Sequence, residues 1–195
     1  MIAGAVRQRL AGNGEVDRWG YDAGMAAVLD AVAPWRWPVT VGGVEAVPPS
    51  GPAVVVLGRG LDPLAPLVAA SALRRATGRP ARFLGLPDVG PVGPLLRRLG
   101  GAVDRPEELA GLLRAGHLVV VPLTRTLRSR PGPLDEDALT PALDEGAVVL
   151  PAALAGSELR RSWRLLVGPA VAARAEGPAA LADAVRSRVA ALLDG

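Results

Sequence analysis

Apolar and polar residues follow two different periods along this chain. Over residues 16–32, Trp19, Met25, Val28, Leu29 and Val32 fall near one helical face while Asp17, Arg18 and Asp22 lie elsewhere, which predicts an amphipathic helix. Pro34 should end it, because proline brings no N–H to the helical ladder. The next residues, Trp35-Arg36-Trp37, hold two of the four tryptophans. Such a cluster suits either a cap over the core or an anchor at a membrane–water boundary.

From residue 38 the pattern changes to short apolar runs separated by helical stretches. Strands are predicted at 39–41, 53–57, 81–84, 118–121, 147–154 and 163–167, and helices at 63–77, 106–115, 141–145 and 178–193. In the last helix Leu181, Val185, Val189 and Leu192 recur at helical spacing, and Pro178 suits a first turn. The Pro- and Gly-rich residues 87–94 and the segment 128–137 read as loops. This alternation defines an α/β fold, with a mixed, largely parallel sheet flanked by helices. Residues 1–37 form a helical extension and residues 38–195 the α/β domain. The unbroken run at 53–57 is typical of a strand buried on both faces, so Leu57 should be buried.

Composition narrows the chemistry. Half of the 195 residues are hydrophobic, enough for one core. All 22 basic residues are arginine, and with 24 Gly and 19 Pro this is the usage expected of a GC-rich bacterial gene. The net charge is only +3, so the basic character reflects arginine's high pKa and makes no case for nucleic acid. One Phe and one Tyr also leave no base-stacking platform. With no cysteine and a single histidine, disulfides and thiolate nucleophiles are excluded, and neither a metal site nor a cofactor is expected. No stretch approaches the roughly 18 apolar residues of a spanning helix, and the N-terminus lacks the order of a signal peptide. The expected location is cytoplasmic, with peripheral contact at the inner face of the membrane through Trp35, Trp37 and the pairs Arg74-Arg75, Arg97-Arg98 and Arg160-Arg161. The alternative for those pairs is an ordinary solvated face.

The order of motifs resembles the bacterial 1-acylglycerol-3-phosphate (lysophospholipid) acyltransferases over residues 37–170. Residues 39–48 look like the family's first strand and its G-x-E-x-x-P turn, and residues 51–56 like the strand before its active site. Leu57-Gly-Arg59-Gly-Leu-Asp62-Pro63 stands where the family carries N-H-x-S-x-x-D, so Asp62 matches and Leu57 occupies the histidine's place. Gly101-Ala-Val-Asp-Arg105 is similar to a G-x-x-x-R block whose arginine holds the substrate phosphate in the family. Pro122-Leu-Thr124-Arg125-Thr stands where the family has P-E-G-T-R-S. With one residue deleted, Thr124 and Arg125 match its T-R pair; without the deletion only Pro122 does. Residues 149–156 and 163–169 are similar to the closing strands.

The resemblance implies a histidine that takes the proton from a glycerol hydroxyl as the oxygen attacks an acyl thioester, with the aspartate orienting the imidazole. Leucine accepts no proton, and a general base is worth about 10²–10⁴ in rate. Asp62, with a carboxylate's usual pKa near ~4, is a weak substitute. It also has a structural reading as an N-cap before Pro63. His117 precedes the strand at 118–121, roughly 13–17 Å from that strand's carboxyl end, and reads as an exposed loop residue. No catalytic residue is therefore assigned. Arg59, Asp62, Arg105, Thr124 and Arg125 are the ligand-binding candidates, since guanidinium groups near strand ends suit phosphate or carboxylate.

Three readings are open. The first is a degenerate, catalytically silent acyltransferase-like protein binding a lipid, an acyl group or a protein partner. The second is an acyltransferase that uses acyl-CoA or acyl carrier protein and a lysophospholipid by a non-standard mechanism. The third is a membrane-surface or structural module.

Overall fold

A computed structural model of the chain describes residues 16–59, 63–85, 92–123, 134, 136–157, 162–172 and 177–194. The apolar runs become β1 (Val39–Gly42), β2 (Ala53–Arg59), β3 (Ala81–Leu84), β4 (Gly101–Ala102), β5 (Leu118–Pro122), β6 (Val148–Ser157) and β7 (Ser162–Val167). The helices are α1 (Ala23–Arg36), α2 (Ala65–Thr77), α3 (Val92–Arg98), α4 (Pro106–Arg114), α5 (Thr140–Asp144) and α6 (Pro178–Asp194). All seven strands join one sheet in the order β1-β7-β6-β2-β5-β3-β4. Strands β2 to β6 run parallel, whereas β7 pairs antiparallel with β6 and carries β1 alongside it. This is the α/β fold, mixed and largely parallel, that the alternation predicts.

Helices cover both faces, so central strands are apolar on both sides. Ala53, Val55 and Leu57 of β2 enter the core under α2, and Val54 and Val56 enter the core on the side of α4, α5 and α6; all five are 0% exposed. Burying one such Val or Leu fully is worth about 1.5–3 kcal/mol, so β2 is firmly held. Helix α6 packs across β6 and β2. A β-carbon on Gly58 would run into Val189 of α6, which explains the glycine at that crossing.

Several boundaries depart from expectation. The first helix begins at Ala23 rather than at residue 16. The Asp17 carboxylate accepts the N–H groups of Trp19 (2.8 Å) and Tyr21 (2.9 Å), which folds residues 17–22 into a turn. Asp22 then caps the helix by accepting the Met25 N–H at 2.9 Å. Helix α1 also continues through Pro34, because a proline in the last turn removes a single ladder bond and Trp37 N–H still reaches the Ala33 carbonyl at 2.7 Å. The N-cap of α2 is Leu64, and Asp62, read from the sequence as an N-cap before Pro63, lies outside the described residues. Helix α3 occupies part of a predicted loop, where Gly93 and Pro94 hide its period. Strand β4 has two residues, too few to show any period.

Candidate functional site

The carboxyl edge of the central strand is the first place to look. From β2 the chain passes to α2 on one face, and from β5, its neighbour, to α5 on the other. Adjacent strands that feed opposite faces define the crevice where open α/β sheets bind ligands. Leu57 stands at this crevice, opposite Pro122 of β5 and Ala152 of β6, with its carbonyl accepting the Leu123 N–H at 3.0 Å. Its side chain is 0% exposed in the apolar cluster that holds Ala65, Val68, Ala152 and Leu154. Among the described residues this strand end offers no proton acceptor on a side chain.

The candidate ligand residues divide sharply. Arg59 is the last residue of β2, and only its backbone is described. Asp62, Thr124 and Arg125 lie outside the described residues. Arg105 is the exposed N-cap of α4, after the edge strand β4. Three strand spacings separate β4 from β2, about 14 Å at ~4.8 Å each. A single small anion cannot touch both strand ends.

Arg105 instead borders a cavity of about 640 Å³ with Arg18, Trp19, Gly20, Arg97, Glu107 and Glu108. Arg97 is committed to Glu108 at 3.1 Å, and Arg18 lies 5.1 Å from the Trp19 ring. The cavity is therefore a mixed-charge site on the outer edge of the sheet, open to solvent.

The opposite, amino edge holds three buried arginines, of which the sequence reading placed one, Arg74, at a surface. Arg74, expected at a lipid surface, is 7% exposed; its Nε and Nη2 each donate to Asp30 at 2.8 Å and its Nη1 to the carbonyls of Ala81 and Leu99. Arg79, 8% exposed, donates to the carbonyls of Pro48, Gly51 and Gly116. Arg82, 0% exposed, pairs with Asp17. Burial lowers the pKa of Arg79 and of Arg82, since a dry site disfavours the cation. A charge inside the short apolar strand Ala81-Arg82-Phe83-Leu84 was the available signal for the last of these.

His117 does precede β5, far from the crevice, but it is half-buried rather than exposed. Burial, then the positive charge of Arg82, lowers its pKa below the usual 6.5. Of the tryptophans beside α1, Trp37 packs on the core, whereas Trp35 is 78% exposed. No described helix is long and apolar enough to cross a membrane. Among the described residues no cluster of His, Cys, Asp or Glu could hold a metal ion.

No family model matches the sequence, and no curated protein does. The fold itself, a mixed, mostly parallel sheet with helices on both faces, matches that of an acyltransferase of known structure. Among solved structures the chain is similar to the crystal structure of the 1-acyl-sn-glycerophosphate (LPA) acyltransferase, PlsC, from Thermotoga maritima. The TM-score is 0.65 and the identity 19%, over 88% of this chain and 77% of that one. At that identity the likeness concerns the fold.

Proposed function

We propose that this chain is a degenerate acyltransferase-fold protein that retains the framework for a lipid or acyl ligand and does not carry out histidine-dependent acyl transfer. The observation that supports it is Leu57. The motif order puts this residue in the histidine's place, and its side chain is 0% exposed in packed apolar core at the crevice. In the family reaction a hydroxyl oxygen bonds to the thioester carbon, its proton passes to the histidine, and the thiolate leaves. Leu57 has no lone pair to receive that proton. Arg59, the last residue of β2, and Asp62, Thr124 and Arg125, which follow β2 and β5 closely in sequence, are the ligand contacts of this reading. Arg105 would hold an anionic group at the outer cavity.

The test is thiol release from acyl-CoA, or from acyl carrier protein, with lysophosphatidic acid as acceptor. Wild type should show none above background. Leu57→His alone should add little, because an isolated imidazole lacks the surrounding groups that position reactants and stabilise charge. Leu57→His with Leu123 replaced by Glu-Gly, which rebuilds Pro-Glu-Gly-Thr and keeps Thr124 and Arg125, should give the first detectable turnover in a variant whose thermal melt is intact. Turnover in the unmodified protein would overturn the silent reading in favour of transfer by another base.

Exposed Trp35, followed by Arg36, favours a membrane-surface role alongside this reading, since indoles partition to the interface and arginine to anionic headgroups. Sedimentation with phosphatidylglycerol vesicles should bring the protein down, and Trp35→Ala should weaken binding severalfold. Equal sedimentation of the two proteins would remove Trp35 from that role.

A further inference from the structure

Among the described residues, large apolar side chains are exposed at Val16, Trp35, Leu64, Val92 and Leu95, each over 38% to 78% of its surface. All but Val16 gather at one edge of the sheet. Strands β2 and β3 run toward the carboxyl edge, so Leu64, which opens α2, and Val92 and Leu95, in the first turn of α3, follow from that edge.

Trp35 reaches the same edge by another route. Strand β7 returns beside β6 with Trp163 opposite Gly156, and β1 begins next to it with Val39 opposite Trp163. Gly156 stands two residues past Leu154, the partner of Arg59 at the end of β2. The entry to β1, and with it the last turn of α1, thus lies about 7 Å beyond the end of the central strand, at ~3.3 Å per residue.

These three helix ends belong to one layer. Met25 and Leu29 of α1, Leu67 and Val68 of α2 and Leu96 of α3 pack in the same core cluster. At the opposite ends of α1 and α2 the exposed positions are small or charged, Ala23 in the first and Arg75 and Ala76 in the second. Apolar exposure therefore has a direction, toward the edge where the crevice at Leu57 opens. Basic charge accompanies it. Arg36 is exposed beside Trp35, and Arg164 is exposed on β7 at the register position of Thr40 in β1. The boundary of an anionic bilayer accepts this mixture, because apolar side chains enter its acyl margin while guanidinium groups stay with the phosphates.

We propose that the carboxyl edge is the face by which the protein docks on an anionic bilayer, through Leu64, Val92 and Leu95 as well as Trp35, so that the crevice at Leu57 is turned toward the lipid. This rests on the membrane-surface role of Trp35 and is independent of acyl chemistry.

The chain has no cysteine, so a single introduced one can carry a fluorophore that brightens in apolar surroundings. Labels at Leu64→Cys and Leu95→Cys report on the carboxyl edge, and one at Ala76→Cys on the amino edge is the control. Each is followed as the full-length protein binds phosphatidylglycerol vesicles. Emission from the first two should rise severalfold and be quenched by bromine on the lipid acyl chains, while the label at Ala76→Cys changes in neither respect. Leu64→Ser combined with Leu95→Ser should weaken sedimentation with the same vesicles by about tenfold and leave the thermal melt unchanged. A wild type that does not sediment at all would overturn both the surface role and this orientation. Sedimentation with labels at 64 and 95 that behave like the one at 76 would keep the surface role and overturn the orientation alone. Brightening at 64 and 95 that follows protein concentration in the absence of vesicles would overturn it in favour of contact between copies of the chain.

Discussion

Toward its carboxyl edge the central strand carries Leu57, wholly enclosed by apolar neighbours, whereas at the amino edge Arg74, Arg79 and Arg82 are buried to 8% exposure or less. The first edge is where α/β sheets usually place their chemistry, and the second is where they usually only turn the chain. Here the buried charge has gone to the second. Its partners show why. Arg74 ties α1 to α2 and to the starts of β3 and β4, and Arg79 gathers carbonyls from the 48–51 turn and from Gly116 before β5. A guanidinium carries five donors in a fixed plane, so one side chain can satisfy several loop carbonyls that would otherwise be buried unpaired. These arginines act in architecture. Their burial is consistent with function having to be sought at the remaining edges of the sheet.

The contrast can be tested by removing one partner at each edge. The largest effect should come from Asp30→Ala, which leaves Arg74 buried without its carboxylate. Breaking such a pair costs about 3–5 kcal/mol, read as lost unfolding free energy in urea. Asp30→Ala with Arg74→Met should recover much of the loss, since replacing both members of a buried pair by apolar groups is often nearly neutral. A single-variant cost below about 1 kcal/mol, the range of exposed pairs, would show that the amino-edge charges are not structural.

Next in size is Leu57→Ala at the carboxyl edge. A cavity there should cost about 3 kcal/mol in the same assay. A cost near zero would mean that the crevice collapses or hydrates easily, as a ligand site would. Leu57 would then no longer be a core residue, and the contrast between edges would weaken.

The smallest effect is expected from pH. His117 has a folded-state pKa below its unfolded value near ~6.5, so the unfolded chain binds more proton across the interval between them. Its contribution to stability is therefore fully present above pH ~6.5 and is lost as pH falls toward the folded-state pKa. His117→Asn should flatten the stability profile between about pH 5 and pH 7 relative to wild type. Superimposable profiles for the two proteins would show that the imidazole titrates in the folded state as it does in solvent.

Local pattern was enough for much of the architecture. Runs such as 53–57 and 118–121 have few alternatives to a strand buried on both faces, and that burial carried Leu57 with it. The class of fold followed from alternation alone. What depends on distant residues could not be read in this way. Residues 16–22 have helical periodicity, yet the Asp17 carboxylate closes a turn there and reaches Arg82, 65 positions away. Arg74 lies on a helix whose neighbouring arginine is exposed, and only the packing of α1 against α2 makes it a buried partner of Asp30. Arg105 comes soon after β4, and strand order sets it at the edge of the sheet, three strands from Leu57. Period and run length are set by nearest neighbours. Strand order and the pairing of buried charges arise only when elements far apart in the chain exclude water from the same place.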